Sequence, residues 1–132
     1  MAKAISSDVR SELASAPRSY FDAVDRLDVD DVLSHFADDA TLTVQTDGVT
    51  FTGAEEIRRM FTDFLASWDS MVHDITNLVV DEAGRRVATE QRVTLTSGGT
   101  DTPMYNCNFF SIGEDGRFER VIIWMDGSNP LQ

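Results

Sequence analysis

Residues 71–126 read MVHDITNLVVDEAGRRVATEQRVTLTSGGTDTPMYNCNFFSIGEDGRFERVIIWMD. Four apolar-rich runs stand out, Met71 to Val80, Arg86 to Thr96, Pro103 to Ile112 and Phe118 to Asp126. The segments between them, Glu82-Ala83-Gly84, Ser97-Gly98-Gly99 and Gly113 through Gly116, carry the glycines that tight reversals need. Separators this short join antiparallel neighbours, so the stretch predicts a four-strand meander. Its last two runs are apolar on both parities, as Phe109-Phe110 and Val121-Ile122-Ile123-Trp124-Met125 show. An antiparallel sheet wetted on one side alternates instead, so both faces at this end are expected to be covered. The chain has no element left for the second face, and a homodimer through the outer sheet face is the expected answer. A different chain of the same fold would meet the same need.

Upstream the period changes from two to 3.6. Ser7-Asp8 is a candidate helix start, with a break or kink expected at Pro17. Tyr20, Phe21, Val24 and Leu27 then fall on one helical face. Asp28 reads as the N-cap of a short second helix whose apolar stripe is Val29, Val32, Leu33 and Phe36. Ala40 to Gln45 and Val49 to Thr52, joined at Thr46-Asp47-Gly48, read as a hairpin. Gly53 opens a third helix in which Ile57, Met60, Phe61, Phe64, Leu65 and Trp68 recur at helical spacing. Helices first and strands last predicts an α+β fold, with helices on one face of a sheet.

The 132 residues make one domain, spanning 1–132, the expected organisation. Eleven basic against twenty-three acidic side chains give a net charge of −12, which argues against nucleic acid and against an anionic membrane surface as partners. Cys107 is the lone cysteine, so an intrachain disulfide and a cysteine-rich zinc site are both excluded. His35 and His73, the two histidines, lie on separate predicted elements and make a poor metal set, so neither a metal nor a cofactor is expected. The longest unbroken apolar run is Val121 to Met125, and the N-terminal residues lack the apolar core of a signal peptide; a cytoplasmic location is expected. The glycine pairs sit in hairpin turns and not before helices, so no phosphate loop is read from them.

The order helix, helix, hairpin, helix, meander resembles the cone-shaped roll of the nuclear-transport-factor-2-like superfamily over nearly the whole chain. The stretch SHFADDATL (34–42) looks like its second helix running into the first strand, FTGAEEIRRMF (51–61) like its third helix, and EDGRFERVIIWMD (114–126) like its last hairpin. The resemblance implies a pocket between helices and sheet and specifies fold better than chemistry. Within it, AVDRLD (23–28) and VHDITNL (72–78) look like the pattern of the scytalone dehydratase and hexachlorocyclohexane dehydrochlorinase branch, in which an aspartate ending the first helix orients a histidine opening the third strand. Those roles fall on Asp25 and His73, and His73 shares its strand parity with Met71, Ile75, Asn77 and Val79, a mostly apolar face. A neutral imidazole can take a proton from carbon near neutral pH, and a carboxylate on its other nitrogen fixes the tautomer.

Other branches contribute further candidates. The ketosteroid isomerase pattern keeps the tyrosine as Tyr20 but has Val44 where the base belongs and Asn108 in place of an acid. Limonene epoxide hydrolases are similar at Gln91, Arg92 and Asp126, but Thr94 stands where their central aspartate would be. SnoaL-like cyclases place an acid near the end of the last strand, where Asp126 shares parity with Trp124 just before a turn at Gly127-Ser128-Asn129-Pro130. The expected substrate-binding set is therefore Tyr20, Asn108, Asp126, Trp124 and Arg92. Asn106 shares the parity of Asn108 and is a further hydrogen-bonding candidate, whereas His35 lies off its helix stripe. The expected activity is that of a lyase or isomerase, a dehydratase or polyketide cyclase in type, on a small and largely apolar molecule. The alternative is a binding module without turnover, or a structural dimer whose pocket is filled by side chains.

Overall fold

The structure is a computed structural model and describes residues 2–126. The segment Gly127 to Pro130, read above as a turn, lies outside the described residues. The element order is α1 (Ala2–Asp25), α2 (Val29–Ser34), β1 (Phe36–Val44), β2 (Val49–Thr52), α3 (Gly53–Ala66), β3 (Ser70–Asp81), β4 (Arg86–Ser97), β5 (Thr100–Ile112) and β6 (Phe118–Met125). The six strands form one sheet in the order β2-β1-β6-β5-β4-β3. Every neighbouring pair is antiparallel except β1 with β6, which is parallel. The expected α+β fold, helices first and a meander last, is what the chain adopts. No helix among the described residues is long and apolar enough to cross a membrane.

The elements differ from the sequence reading in several places, and α1 begins at Ala2 where Ser7-Asp8 was the expected start. Helix α1 runs through Pro17 as one element. Phe36, expected in the second helix, instead opens β1, because α2 is only six residues long and ends in a cap at His35. The parity of β3 changes midway. A bulge between Ile75 and Asn77 inserts an unpaired residue, so Leu78 and Val80 turn inward while Asn77 and Val79, expected on the face of His73, are exposed. The turn between β4 and β5 is tight. Ser97 pairs with Thr100 across Gly98 (φ 58°) and Gly99 (φ 79°), two successive positive φ angles that suit glycine and match the strand twist.

One face of the sheet packs on the helices. Val87, Val93 and Leu95 of β4, Phe110 of β5 and Val121 of β6 meet Leu13, Val24, Ile57 and Phe61 in a single core. Tyr20 lies at its aromatic centre, with ring centroids 5.4 Å from Phe118, 5.7 Å from Phe36 and 5.9 Å from Phe110. Among the described residues no helix lies over the other face. Tyr105 (58% exposed), Trp124 (49%) and Phe109 (47%) stand on it in the open. The doubly apolar character of β5 and β6 thus corresponds to one buried face and one bare apolar face.

Candidate active site

The end of α1 positions the first functional side chain. Leu27 takes a left-handed backbone (φ 59°); its N–H donates to Val24 O at 2.9 Å, and the N–H of Asp28 donates to Ala23 O at 3.2 Å. This pair of bonds closes the helix abruptly. The chain is then free for Asp28 to cap α2, accepting from the N–H of Asp31 at 3.1 Å. Asp25 is left on the last helical turn, where the helix dipole disfavours a negative charge. A carboxylate kept at the wrong end of a helix calls for a compensating partner, and β3 supplies it.

His73 Nδ1–H donates to Asp25 Oδ1 at 2.6 Å, and the backbone N–H of His73 donates to Asp25 Oδ2 at 2.9 Å. A carboxylate only accepts, so in the neutral ring the proton sits on Nδ1 and Nε2 keeps its lone pair. Phe21 stacks on the imidazole at 4.7 Å and 16°, which holds the ring plane. The His73 side chain is 9% exposed and that of Asp25 is 23% exposed. Nε2 has no hydrogen-bond partner among the described residues.

His73 forms part of the wall of a cavity between helices and sheet. Its apolar lining includes Phe21, Val24, Phe64, Leu95 and Met104, and its polar lining is Tyr20, His73, Gln91, Asn106 and Asn108. The space is about 30 Å³, little more than one or two waters occupy, so a larger guest must displace side chains. Met104 and Met125, both in the lining, are the most adaptable of these. Burial, with the Asp25 carboxylate adding to it, pushes the Tyr20 hydroxyl far above the ordinary phenol range, so it remains a hydrogen-bond donor.

The candidates named from sequence divide into two groups. Asp25 and His73 meet, and Tyr20 and Asn108 line the same cavity. Arg92, Trp124 and Asp126 do not line it. Arg92 faces outward between Asp74 and Tyr105, and Trp124 is on the bare sheet face next to Cys107. Asp126 Oδ1 accepts from the N–H of Tyr105 at 2.7 Å and ties the end of β6 to β5. The reason is parity: Tyr105, Cys107 and Trp124 alternate with the inward Met104, Asn106, Asn108 and Ile123. His35 is committed elsewhere, bonded through Nδ1 to Asp31 O and through Nε2 to Ser19 Oγ. Among the described residues no group of three or more His, Cys, Asp or Glu is arranged to hold a metal ion.

The sequence reading missed Thr89 and passed over Gln91 as a cavity residue. Both are 1% exposed, on a β4 face otherwise made of Val87, Val93 and Leu95. A glutamine on an apolar parity was the available signal. Thr89 carried none, because threonine is common in strands.

Comparisons with known proteins place the fold. AusH from Aspergillus nidulans is similar at a TM-score of 0.80, with 20% identity over 91% of this chain and 87% of that one. PrhC from Penicillium brasilianum is similar at 0.81, with 15% identity over 89% and 82%. An LEH-like epoxide hydrolase from M. tuberculosis is similar at 0.76, with 19% identity over 89% and 84%. At such identities the likeness is one of fold. No curated protein matches the chain significantly. The SnoaL-like domain matches residues 18–121, from the middle of α1 into β6. With most of its length matched, including the helix that carries Asp25 and the strand that carries His73, the chain belongs to the SnoaL-like domain family.

Proposed function

We propose that the protein is a cofactor-independent lyase or isomerase, of dehydratase or cyclase type, acting on a small and largely apolar molecule. One observation carries this reading: an imidazole anchored through Nδ1 to a carboxylate, with its free Nε2 on a wall of an otherwise mostly apolar cavity. Nε2 takes a proton from a carbon next to a carbonyl, and the C–H electron pair moves onto the carbonyl oxygen as an enolate. Asp25 stabilises the imidazolium so formed. In a dehydration the enolate then expels a β-hydroxyl, which leaves as water with the proton from Nε2. In a cyclisation the same enolate carbon attacks a second carbonyl, whose oxygen takes the C=O electron pair and the proton from Nε2. Tyr20 and Asn108 are the hydrogen-bond donors available to the oxyanion. Membership of the SnoaL-like domain family, with an LEH-like epoxide hydrolase among the structures this chain resembles, supports an enzyme of this general type.

The half-reaction is testable without the natural substrate. In D₂O, wild type is expected to speed exchange of the α-hydrogens of simple aryl methyl ketones above the buffer rate, as read by proton NMR. His73→Gln, which keeps a donor toward Asp25, is expected to return exchange to the buffer rate. Binding of the ketones without any exchange would instead favour the alternative reading, a binding module.

We further propose that two copies pair through the bare sheet face, covering Tyr105, Phe109, Ile122 and Trp124. Each copy carries a charge of −12, so pairing is expected to tighten as salt screens the repulsion. Sedimentation should give twice the single-chain mass, and Phe109→Glu combined with Trp124→Glu should give the single-chain mass. A wild type that sediments as one chain at both low and high salt would end this proposal.

A further inference from the structure

Three buried polar side chains form a line of hydrogen bonds along the sheet side of the cavity. Thr89 Oγ1–H donates to Gln91 Oε1 at 2.7 Å, and Gln91 Nε2 donates to Asn108 Oδ1 at 2.9 Å. Thr89 and Gln91 are each 1% exposed and Asn108 is 3% exposed, and Thr89 and Asn108 are register partners on adjacent strands. An amide has one accepting and one donating end. With Oδ1 of Asn108 taken by Gln91, the end left to the cavity is Nδ2, which makes no hydrogen bond to another described residue.

Two residues along the same strand, Asn106 presents the opposite polarity. Its Oδ1 is a buried acceptor and has no partner among the described residues. Asn106 lines the same cavity as Asn108 and shares its inward parity. Buried polar atoms are seldom left unpaired, so an orphan acceptor beside a free donor on a cavity wall is where the polar groups of a guest, in place of water, would pair. The lining holds no lysine or arginine, while the Asp25 carboxylate lies just behind His73. An anionic guest would therefore be poorly held there.

From this pattern we infer the substrate class, on the reading that this cavity is the functional site. The guest is a neutral molecule with a carbonyl oxygen held by Asn108 Nδ2 and a hydroxyl held by Asn106 Oδ1. Residues i and i+2 of a strand are about 7 Å apart, so the two oxygens of the guest are separated by roughly 5–7 Å. Asn108 contacts the oxygen that becomes the oxyanion. Thr89 and Gln91 act through Asn108 as positioning residues, and Asn106 selects for the hydroxyl.

The probes are 3-hydroxyacetophenone, acetophenone (no hydroxyl) and 3-ethylphenol (no carbonyl), titrated against the full chain by NMR. Wild type is expected to bind 3-hydroxyacetophenone roughly tenfold more tightly than either analogue. Gln91→Met frees the Asn108 amide, and should erase the preference over 3-ethylphenol while keeping the preference over acetophenone. Asn106→Ala should do the reverse. Equal affinities of wild type for the three probes, a uniform weakening by Gln91→Met, or no binding of any probe below about 10 mM would overturn the inference. Should Gln91→Met lose its dispersed amide spectrum, Thr89→Val loosens the same anchor one bond away, and the wild-type ranking is decisive without it. The ranking is read from binding and the exchange of α-hydrogens from turnover, so a failure of the His73 base and a failure of this wall give different results.

Discussion

Asp25→Asn is expected to silence the cavity base almost completely, and to do so more thoroughly than Asp25→Ala. The two oxygens of Asp25 have different partners, the ring Nδ1–H and the backbone N–H of His73. Asparagine keeps the shape but has one accepting and one donating end. The backbone N–H can only donate, so it claims the amide oxygen. The NH₂ group is then left facing Nδ1, which must become the acceptor, and the ring proton moves to Nε2. The nitrogen facing the cavity is now an N–H and cannot take a proton. A wrong-tautomer histidine of this kind costs about 10⁴-fold in rate. Alanine imposes no tautomer and leaves part of the population competent, so its rate loss is smaller, roughly 10²-fold as for an ordinary general-base defect. Stability should run the other way. Asparagine keeps both contacts, whereas alanine leaves the backbone N–H of His73 without its acceptor at a cost of about 1–3 kcal/mol. Nitrogen-15 NMR of the imidazole reads the tautomer directly. A ring still protonated on Nδ1 in Asp25→Asn, or an Asp25→Ala variant slower than Asp25→Asn, would remove the tautomer argument.

That contact was legible in the sequence only through the resemblance of AVDRLD and VHDITNL to a known pattern, since Asp25 and His73 are 48 residues apart. Periodicity supplied the rest of the frame. Strand parity put His73, Asn106 and Asn108 on the inner face, and turn glycines marked the meander. Where parity failed, the cause was local. The bulge after Ile75 reverses the second half of β3, and no residue type at Ile75, Thr76 or Asn77 announces it. Arg92, Trp124 and Asp126 were carried over from other branches of the fold. The alternation that placed Asn108 inside places Trp124 outside once Cys107 and Trp124 are known to be register partners. Register between strands is the information that a single strand's pattern lacks. The parallel pairing of β1 with β6 was likewise unreadable, because no local signal joins residues some eighty positions apart.

That parallel seam is where the largest loss of stability is expected. Phe36 and Phe118 are register partners at its start, and the N–H of Phe118 donates to His35 O at 2.7 Å. The Phe118 side chain is fully buried, with ring centroids 4.8 Å from Phe110, 5.4 Å from Tyr20 and 5.5 Å from Phe36. Alanine at this position leaves a hole bounded by three rings that belong to α1, β1 and β5. Elements tied into different parts of the fold cannot collapse together to fill it. Phe118→Ala is therefore expected to cost about 3–5 kcal/mol, the upper part of the range for core truncations. Against a usual total of about 5–15 kcal/mol, that is a large share of the stability of a domain of this size. Phe118→Leu keeps most of the volume and should cost clearly less, with the difference between the two variants measuring the cavity itself. Urea titration with an unchanged slope gives both numbers. A loss below about 1 kcal/mol for Phe118→Ala would mean that the backbone ladder alone holds the seam and that the aromatic cluster packs there without securing it.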